Sequence, residues 1–122
     1  MPNADGAVVP NQGKLVVVKI AHTVVWALLV ACIVGIPVAA WQEHFGWAAA
    51  LGAIIVVEGV VLIANGWRCP LTDLAARYTH DRRDNFDIYL PLWLARHNKT
   101  IFTTIFVGAV VFSVVQWARW AR

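Results

Sequence analysis

No charged side chain occurs between Ile20 and Trp41, a stretch of 22 residues that His22 and Thr23 interrupt with polar groups. At about 1.5 Å per residue, a helix of this length crosses a hydrocarbon core of roughly 30 Å. A cleaved signal peptide is the competing interpretation, because Lys14 and Lys19 could form its basic segment. The apolar part of a signal peptide normally runs about 7 to 15 residues, so a first transmembrane helix is predicted instead.

Two further apolar stretches follow the first. Residues 47–67 are interrupted by Glu58 and Asn65, and residues 100–116 form a shorter stretch that Trp117 and Trp120 extend. The chain is 60% hydrophobic and 14% charged, which would leave too much apolar surface in water for a soluble domain. The sequence therefore predicts an all-α membrane protein, with a mobile tail at 1–14 and one membrane domain at 15–122 whose transmembrane helices span about 16–41, 47–67 and 99–119.

The segment between the second and third helices, residues 68–98, carries most of the charge and must lie outside the hydrocarbon. We expect two short interfacial helices in this loop. One is capped by Thr72 and runs to about Tyr78 or His80. The other covers residues 85–95 and is interrupted by Pro91.

The distribution of Lys and Arg predicts the orientation. One side of the membrane holds eight of them, and the other holds Arg119 and Arg122. Because positive charge is retained on the cytoplasmic side, the predicted location is the cell inner membrane, with the N-terminus and the loop cytoplasmic and the C-terminus periplasmic. The eight are Lys14, Lys19, Arg68, Arg77, Arg82, Arg83, Arg96 and Lys99.

A short motif marks the end of the second predicted helix. Residues 66–72 read Gly-Trp-Arg-Cys-Pro-Leu-Thr, and Tyr-Leu-Pro follows at 89–91. This pattern resembles a family of small, uncharacterised bacterial membrane proteins, domain of unknown function family 2784. The resemblance implies a membrane protein and carries no activity with it. Read physically, Trp67 anchors the helix at the interface, Gly66 and Pro70 stop it, and Thr72 starts the next element.

The two cysteines are predicted to lie at different depths, because Cys32 is inside an apolar stretch and Cys69 follows one. They are therefore not expected to form a disulfide. Cys69 has two interpretations, a small packed residue or a reactive thiol at a helix terminus beside Arg68. A juxtamembrane cysteine can also be acylated.

Glu58 is the only acidic side chain within a predicted span, and an unpaired carboxylate in hydrocarbon is costly. Counted inward from the helix ends, His22 lies roughly 9 Å deep and Glu58 roughly 12 Å deep. We therefore expect a polar cluster inside the membrane, with a role in chemistry or in helix register. Its predicted members are His22, Glu58, Asn65, Thr103 and Thr104.

Three glycines of the second helix, Gly52, Gly59 and Gly66, recur every seven residues and could form a helix-packing stripe. The competing interpretation is chance, since glycine is common in membrane helices.

Three functions remain open from the sequence. The first is a non-enzymatic accessory or assembly subunit that binds other membrane subunits or itself within the lipid bilayer. The second is a redox or proton-relay protein built on His22 and Glu58, with haem or quinone; a haem held by His22 and His97 is the geometric option. The third is a homo-oligomeric transporter or channel with Glu58 in its pore. No cofactor, metal site or nucleic-acid partner is predicted.

Overall fold

The computed structural model describes residues 8–121 of the chain. Its helices are α1 (Gln12–Trp41), α2 (Phe45–Ala64), α3 (Pro70–Ala75) and α4 (Leu92–Trp120), and no strand occurs in this described part. Three of them, α1, α2 and α4, are long and apolar enough to cross a membrane. The predicted all-α class with three candidate transmembrane helices is therefore confirmed.

The first helix begins earlier than predicted. The Asn11 side chain accepts a hydrogen bond from the Lys14 amide at 3.0 Å, so Asn11 caps a helix that starts at Gln12. Before the cap, the Val9 amide donates to the Arg77 carbonyl at 2.8 Å. The predicted mobile tail, 1–14, therefore extends too far, because α1 already begins at Gln12. Residues 1–7 of the tail lie outside the described part.

The short helix α3 also differs from the prediction. Its N-cap position is Cys69, and Pro70 occupies the first turn, where its missing N–H costs nothing. Thr72 therefore lies inside the helix, and its side chain bonds elsewhere instead of capping. The helix ends at Ala75, short of the expected end near Tyr78 or His80.

The last helix absorbs part of the predicted loop. α4 begins at Leu92, and the Pro91 carbonyl accepts the Ala95 amide at 2.9 Å. Pro91 is therefore the N-cap residue, whose carbonyl accepts the first hydrogen bond of the helix. The loop predicted at 68–98 therefore ends at Pro91, and no separate interfacial helix covers residues 85–95 of the described chain.

Gly66 is explained by the way in which α2 ends. The Trp67 amide donates to the Leu62 carbonyl at 2.7 Å, and the Gly66 amide donates to the Ile63 carbonyl at 3.3 Å. These two bonds form a Schellman motif, whose left-handed position favours glycine, and Gly66 has a φ of 67°. Backbone conformation therefore accounts for this member of the predicted glycine stripe.

Contacts divide the chain into two compact units. Unit 1 contains the chain up to Trp26 together with Val61–His97. Unit 2 contains Ala27–Val60 together with the chain from Asn98 onward. Unit 1 thus holds the start of α1, the end of α2, all of α3 and the start of α4.

The core of unit 1 joins the loop to the start of α1. Leu15 and Val18 of α1 are buried against Ala75 of α3, which is fully enclosed. These two α1 residues are three apart and therefore share a helix face. Partly buried residues complete the cluster: Leu71, Leu74, Tyr78 and Phe86.

The core of unit 2 is built from small residues and aromatic rings. Ile36, Ala39 and Ala40 of α1 cluster with Ala48 of α2 and Ala109 of α4, and Phe45, Phe106 and Phe112 pack against them. Ala48 is the one buried residue of α2, and Ala109 is the one buried residue of α4. Both helices thus leave most of their apolar surface uncovered.

Candidate functional site

Asp87 is the one buried charged residue in the described part of the chain, with 5% of its surface exposed. Its carboxylate accepts a hydrogen bond from the Thr72 hydroxyl and lies 3.4 Å from Nδ1 of His22. The same ring nitrogen is 3.1 Å from the Asp87 carbonyl oxygen. A helix of the membrane domain, a motif residue and a loop carboxylate therefore meet in unit 1. We call His22, Cys69, Thr72 and Asp87 the polar cluster.

The contact with the Asp87 carbonyl fixes which nitrogen of His22 carries hydrogen. A carbonyl oxygen can only accept, so Nδ1 must be the donor. In the neutral ring, Nε2 is then the basic nitrogen. The buried carboxylate beside Nδ1 further favours hydrogen on this nitrogen.

Cys69 joins the polar cluster through its backbone. Its carbonyl accepts the Thr72 amide at 2.9 Å, and the Thr72 hydroxyl donates to Asp87. The first turn of α3 thereby positions the Thr72 side chain, so the Cys-Pro-Leu-Thr part of the motif helps to build the site.

The adjacent backbone is tied to α1 as well. The Thr23 hydroxyl accepts the Tyr89 amide at 3.0 Å and donates to the Lys19 carbonyl at 2.7 Å. The Lys19 ammonium lies 4.4 Å from the centre of the Tyr89 ring, a cation–π distance. Asp87 and Tyr89 are therefore bonded to two consecutive residues of α1, His22 and Thr23.

The electrostatics of Asp87 reflect two opposing effects. Burial alone would raise the pKa of its carboxyl, but the hydrogen bonds with His22 and Thr72 outweigh burial and hold the pKa below its ordinary value. The folded protein therefore favours the ionised carboxylate, and the site contains a stable negative charge.

No known protein family, curated protein or solved structure matches this chain. The resemblance of residues 66–72 to an uncharacterised family thus stays a prediction.

The predicted pairing of His22 with Glu58 is replaced by the pairing of His22 with Asp87. Asp87 lies in the loop, outside the predicted spans, so a comparison of depths within the spans does not include the carboxylate that His22 meets. Asn65 donates to the Arg68 carbonyl at 2.7 Å and to the Asp73 carboxylate at 2.8 Å, so it stabilises the start of the loop.

The other predicted cluster members lie in unit 2. Thr104 donates to the Thr100 carbonyl of its own helix at 2.8 Å, and Thr103 is exposed. Glu58 is partly buried, and no hydrogen bond or ion pair is found for it within residues 8–121. Asp87 was missed, although one sequence signal marks it: an acid flanked directly by Phe86 and Ile88.

The histidines also bear on metal and haem binding. His97 engages the Trp93 carbonyl through Nδ1 at 3.0 Å, as His22 engages Asp87 through the same ring atom. A haem iron held by this pair would have to bind Nε2 of each ring. Within residues 8–121, no group of three or more His, Cys, Asp or Glu side chains is placed to hold a metal ion.

A second feature lies in unit 2, where an apolar groove of about 530 Å³ runs along α2 and α4. Its α2 wall includes the small residues Ala48, Ala49 and Gly52. A Cβ built on Gly52 would meet no atom within 4 Å. The hydroxyl of Ser113 in the lining is already bonded to the Ala109 carbonyl. The groove therefore presents an apolar surface with room for close approach.

Proposed function

We propose that this protein is a non-enzymatic accessory or assembly subunit that binds a transmembrane helix of another membrane protein. The observation that carries the proposal is the groove of unit 2, with its α2 wall of small residues. In a membrane, helices associate where small side chains let their backbones approach closely. Ala48 and Gly52 are four residues apart and form such a small-xxx-small pair.

Glu58 supports the same proposal. Its carboxyl has no polar partner within residues 8–121, and a lone carboxylate in a span is costly. Glu58 is not among the residues that line the groove, so the polar side chain that supplies the missing interaction would come from a part of the bound subunit outside the groove. A quinone is the weaker occupant, because the Ser113 hydroxyl in the groove is already used within α4 and is not left to orient a headgroup.

The test compares Gly52→Leu with Ala53→Leu, a matched change at an exposed neighbour that does not line the groove. We expect Gly52→Leu to reduce recovery of the native complex at least about tenfold, equivalent to about 1.4 kcal/mol. The measurement is native mass spectrometry of tagged protein extracted from its own membranes in mild detergent. Ala53→Leu should retain the complex.

Two outcomes would contradict the proposal. One is a wild-type protein that remains a monomer after the mildest extraction, with both variants behaving alike. The other is a complex made only of copies of this chain, which would instead favour the homo-oligomeric transporter or channel. A photo-crosslinker at Val114, which lines the groove, identifies the bound polypeptide in either case.

Residence in a bacterial inner membrane with a cytoplasmic N-terminus belongs to the same proposal. It is supported by the eight Lys and Arg residues on one side of the spans against Arg119 and Arg122 on the other. A reporter that fluoresces only in the cytoplasm should be bright when fused after Arg83 and dark when fused after Arg122. The reverse pattern would invert the orientation.

A further inference from the structure

Unit 1 contains more positive charge than its own carboxylates neutralise. In the described residues of this unit, every acidic side chain already lies within 3.4 Å of an arginine or histidine nitrogen. The pairs are Asp73 with Arg68, Asp81 with Arg83, Asp84 with Arg96, and Asp87 with His22. The Lys and Arg side chains of the unit that pair with no carboxylate of residues 8–121 are Lys14, Lys19, Arg77 and Arg82.

Three of these cations surround the turn that follows α3. The Lys14 ammonium lies 5.7 Å from the centre of the Tyr78 ring, and Arg77 is the residue next to Tyr78. The Arg82 guanidinium donates to the Ala76 carbonyl at 3.1 Å, on the other side of Arg77 in the sequence. All three cationic residues are exposed. We call Lys14, Arg77 and Arg82 the basic site.

Backbone hydrogen bonds fix the two segments that carry Lys14 and Arg77. The Val9 amide donates to the Arg77 carbonyl at 2.8 Å, and the Asn11 amide donates to the Tyr78 carbonyl at 3.2 Å. Tyr78 also packs against the core of unit 1. The start of α1 is therefore held beside the turn, and a ligand does not have to bring the two segments together, which lowers the entropic cost of binding.

The basic site lies at the polar end of a candidate membrane span. The uncharged stretch of α1 begins at Ile20, six residues after Lys14, or about 9 Å along the helix. The headgroup layer on each face of a bilayer is roughly 5–8 Å thick, so Lys14 lies at its outer edge. Lipid headgroups are therefore the ligands that the site meets, and an anionic headgroup supplies the negative charge that unit 1 lacks.

We propose that the basic site binds the headgroup of an anionic phospholipid. The Arg77 guanidinium makes no hydrogen bond or ion pair with any residue of 8–121, so its N–H groups are free to bind phosphate oxygens in pairs. Lys14 adds a point charge, and so does Arg82, whose N–H groups are partly used by backbone carbonyls. This lipid binding belongs to unit 1 and is independent of helix binding by the groove of unit 2.

The experiment titrates the purified full-length protein in detergent micelles with phosphatidylglycerol or with phosphatidylcholine of the same acyl chains, and native mass spectrometry counts the bound lipids. We expect the wild-type protein to bind phosphatidylglycerol at least about tenfold more tightly than phosphatidylcholine. Arg77→Gln and Lys14→Gln should each weaken phosphatidylglycerol binding about fivefold, roughly the contribution of one cation at a membrane surface. Neither change should alter phosphatidylcholine binding.

Arg119→Gln is the matched control, because it removes the same charge from an exposed residue at the end of α4. It should change phosphatidylglycerol binding by less than about twofold, since charges farther apart than a Debye length are screened. A loss equal to that of Arg77→Gln would show an effect of net charge and overturn the proposal.

Two results with the wild-type protein would also overturn the proposal, and they hold even where a variant fails to fold. One is equal affinity for the two lipids. The other is displacement of phosphatidylglycerol by an excess of soluble glycerol phosphate, which would identify a free phosphate compound as the ligand instead of a lipid.

Discussion

Replacing Asp87 with alanine is expected to lower the free energy of unfolding by about 3 kcal/mol. Asp87 and His22 are both largely enclosed, and removing one member of a buried pair leaves the other without its partner. The Thr72 hydroxyl loses its acceptor in the same variant. Reversible unfolding in mixed detergent micelles measures the change.

The pairing itself is tested by adding His22→Ala and the double variant. Since both side chains belong to one network, their effects should fall short of additivity by at least about 1 kcal/mol. Asp84→Ala is the matched control, because its ion pair with Arg96 is exposed and such pairs contribute about 0–1 kcal/mol. Strictly additive losses would show that the two side chains do not stabilise each other.

The charge on Asp87 gives the same prediction a pH signature. Its folded pKa lies below the unfolded value of about 3.9, so its stabilising effect is fully present above pH 4. That effect is lost as the pH falls through the lower, folded pKa. In Asp87→Asn, the free energy of unfolding should therefore fall less steeply as the pH is lowered below 4. An unchanged fall would show that other carboxyls cause the acid sensitivity.

Leu15→Ala is expected to lower the free energy of unfolding by about 2–3 kcal/mol. Leu15 is buried in the core of unit 1 against α3, and the change leaves a cavity that the fully enclosed Ala75 cannot fill. Limited trypsin digestion provides a local measurement. Cleavage after Arg82 or Arg83 should accelerate as the loop separates from α1.

The control for this change is Val17→Ala. Val17 is two residues away on α1 and 65% exposed, so its truncation should alter stability by no more than about 0.5 kcal/mol. Equal losses in the two variants would mean that the loop does not depend on this core. Equal trypsin sensitivity would lead to the same conclusion.

The three candidate spans could be predicted because the requirement that sets them is local. A run such as Ile20–Trp41 must be uncharged along its whole length to lie in hydrocarbon, and that property is visible in the residues themselves. The helix ends were harder, because they depend on single capping groups. Asn11 and Pro91 moved two boundaries by several residues each.

The polar cluster could be predicted only in part. His22 and the residues of the motif were identified, but the carboxylate was assigned to Glu58 instead of Asp87. The error has a physical cause: a charged loop was expected to stay in water, and its acids were not considered as partners for a helix residue. The loop instead has an apolar side that packs on α1. This side is formed by Leu71, Leu74 and Phe86.

The contacts of unit 1 impose an order on biosynthesis. His22 and Asp87 are separated by 65 residues, so at about 5–20 residues per second the ribosome reaches Asp87 several seconds after it makes the histidine. The first two helices are complete before then. A chain that terminates before residue 87 therefore carries an imidazole with no carboxylate to hold it, and only a product that extends through His97 contains all of unit 1.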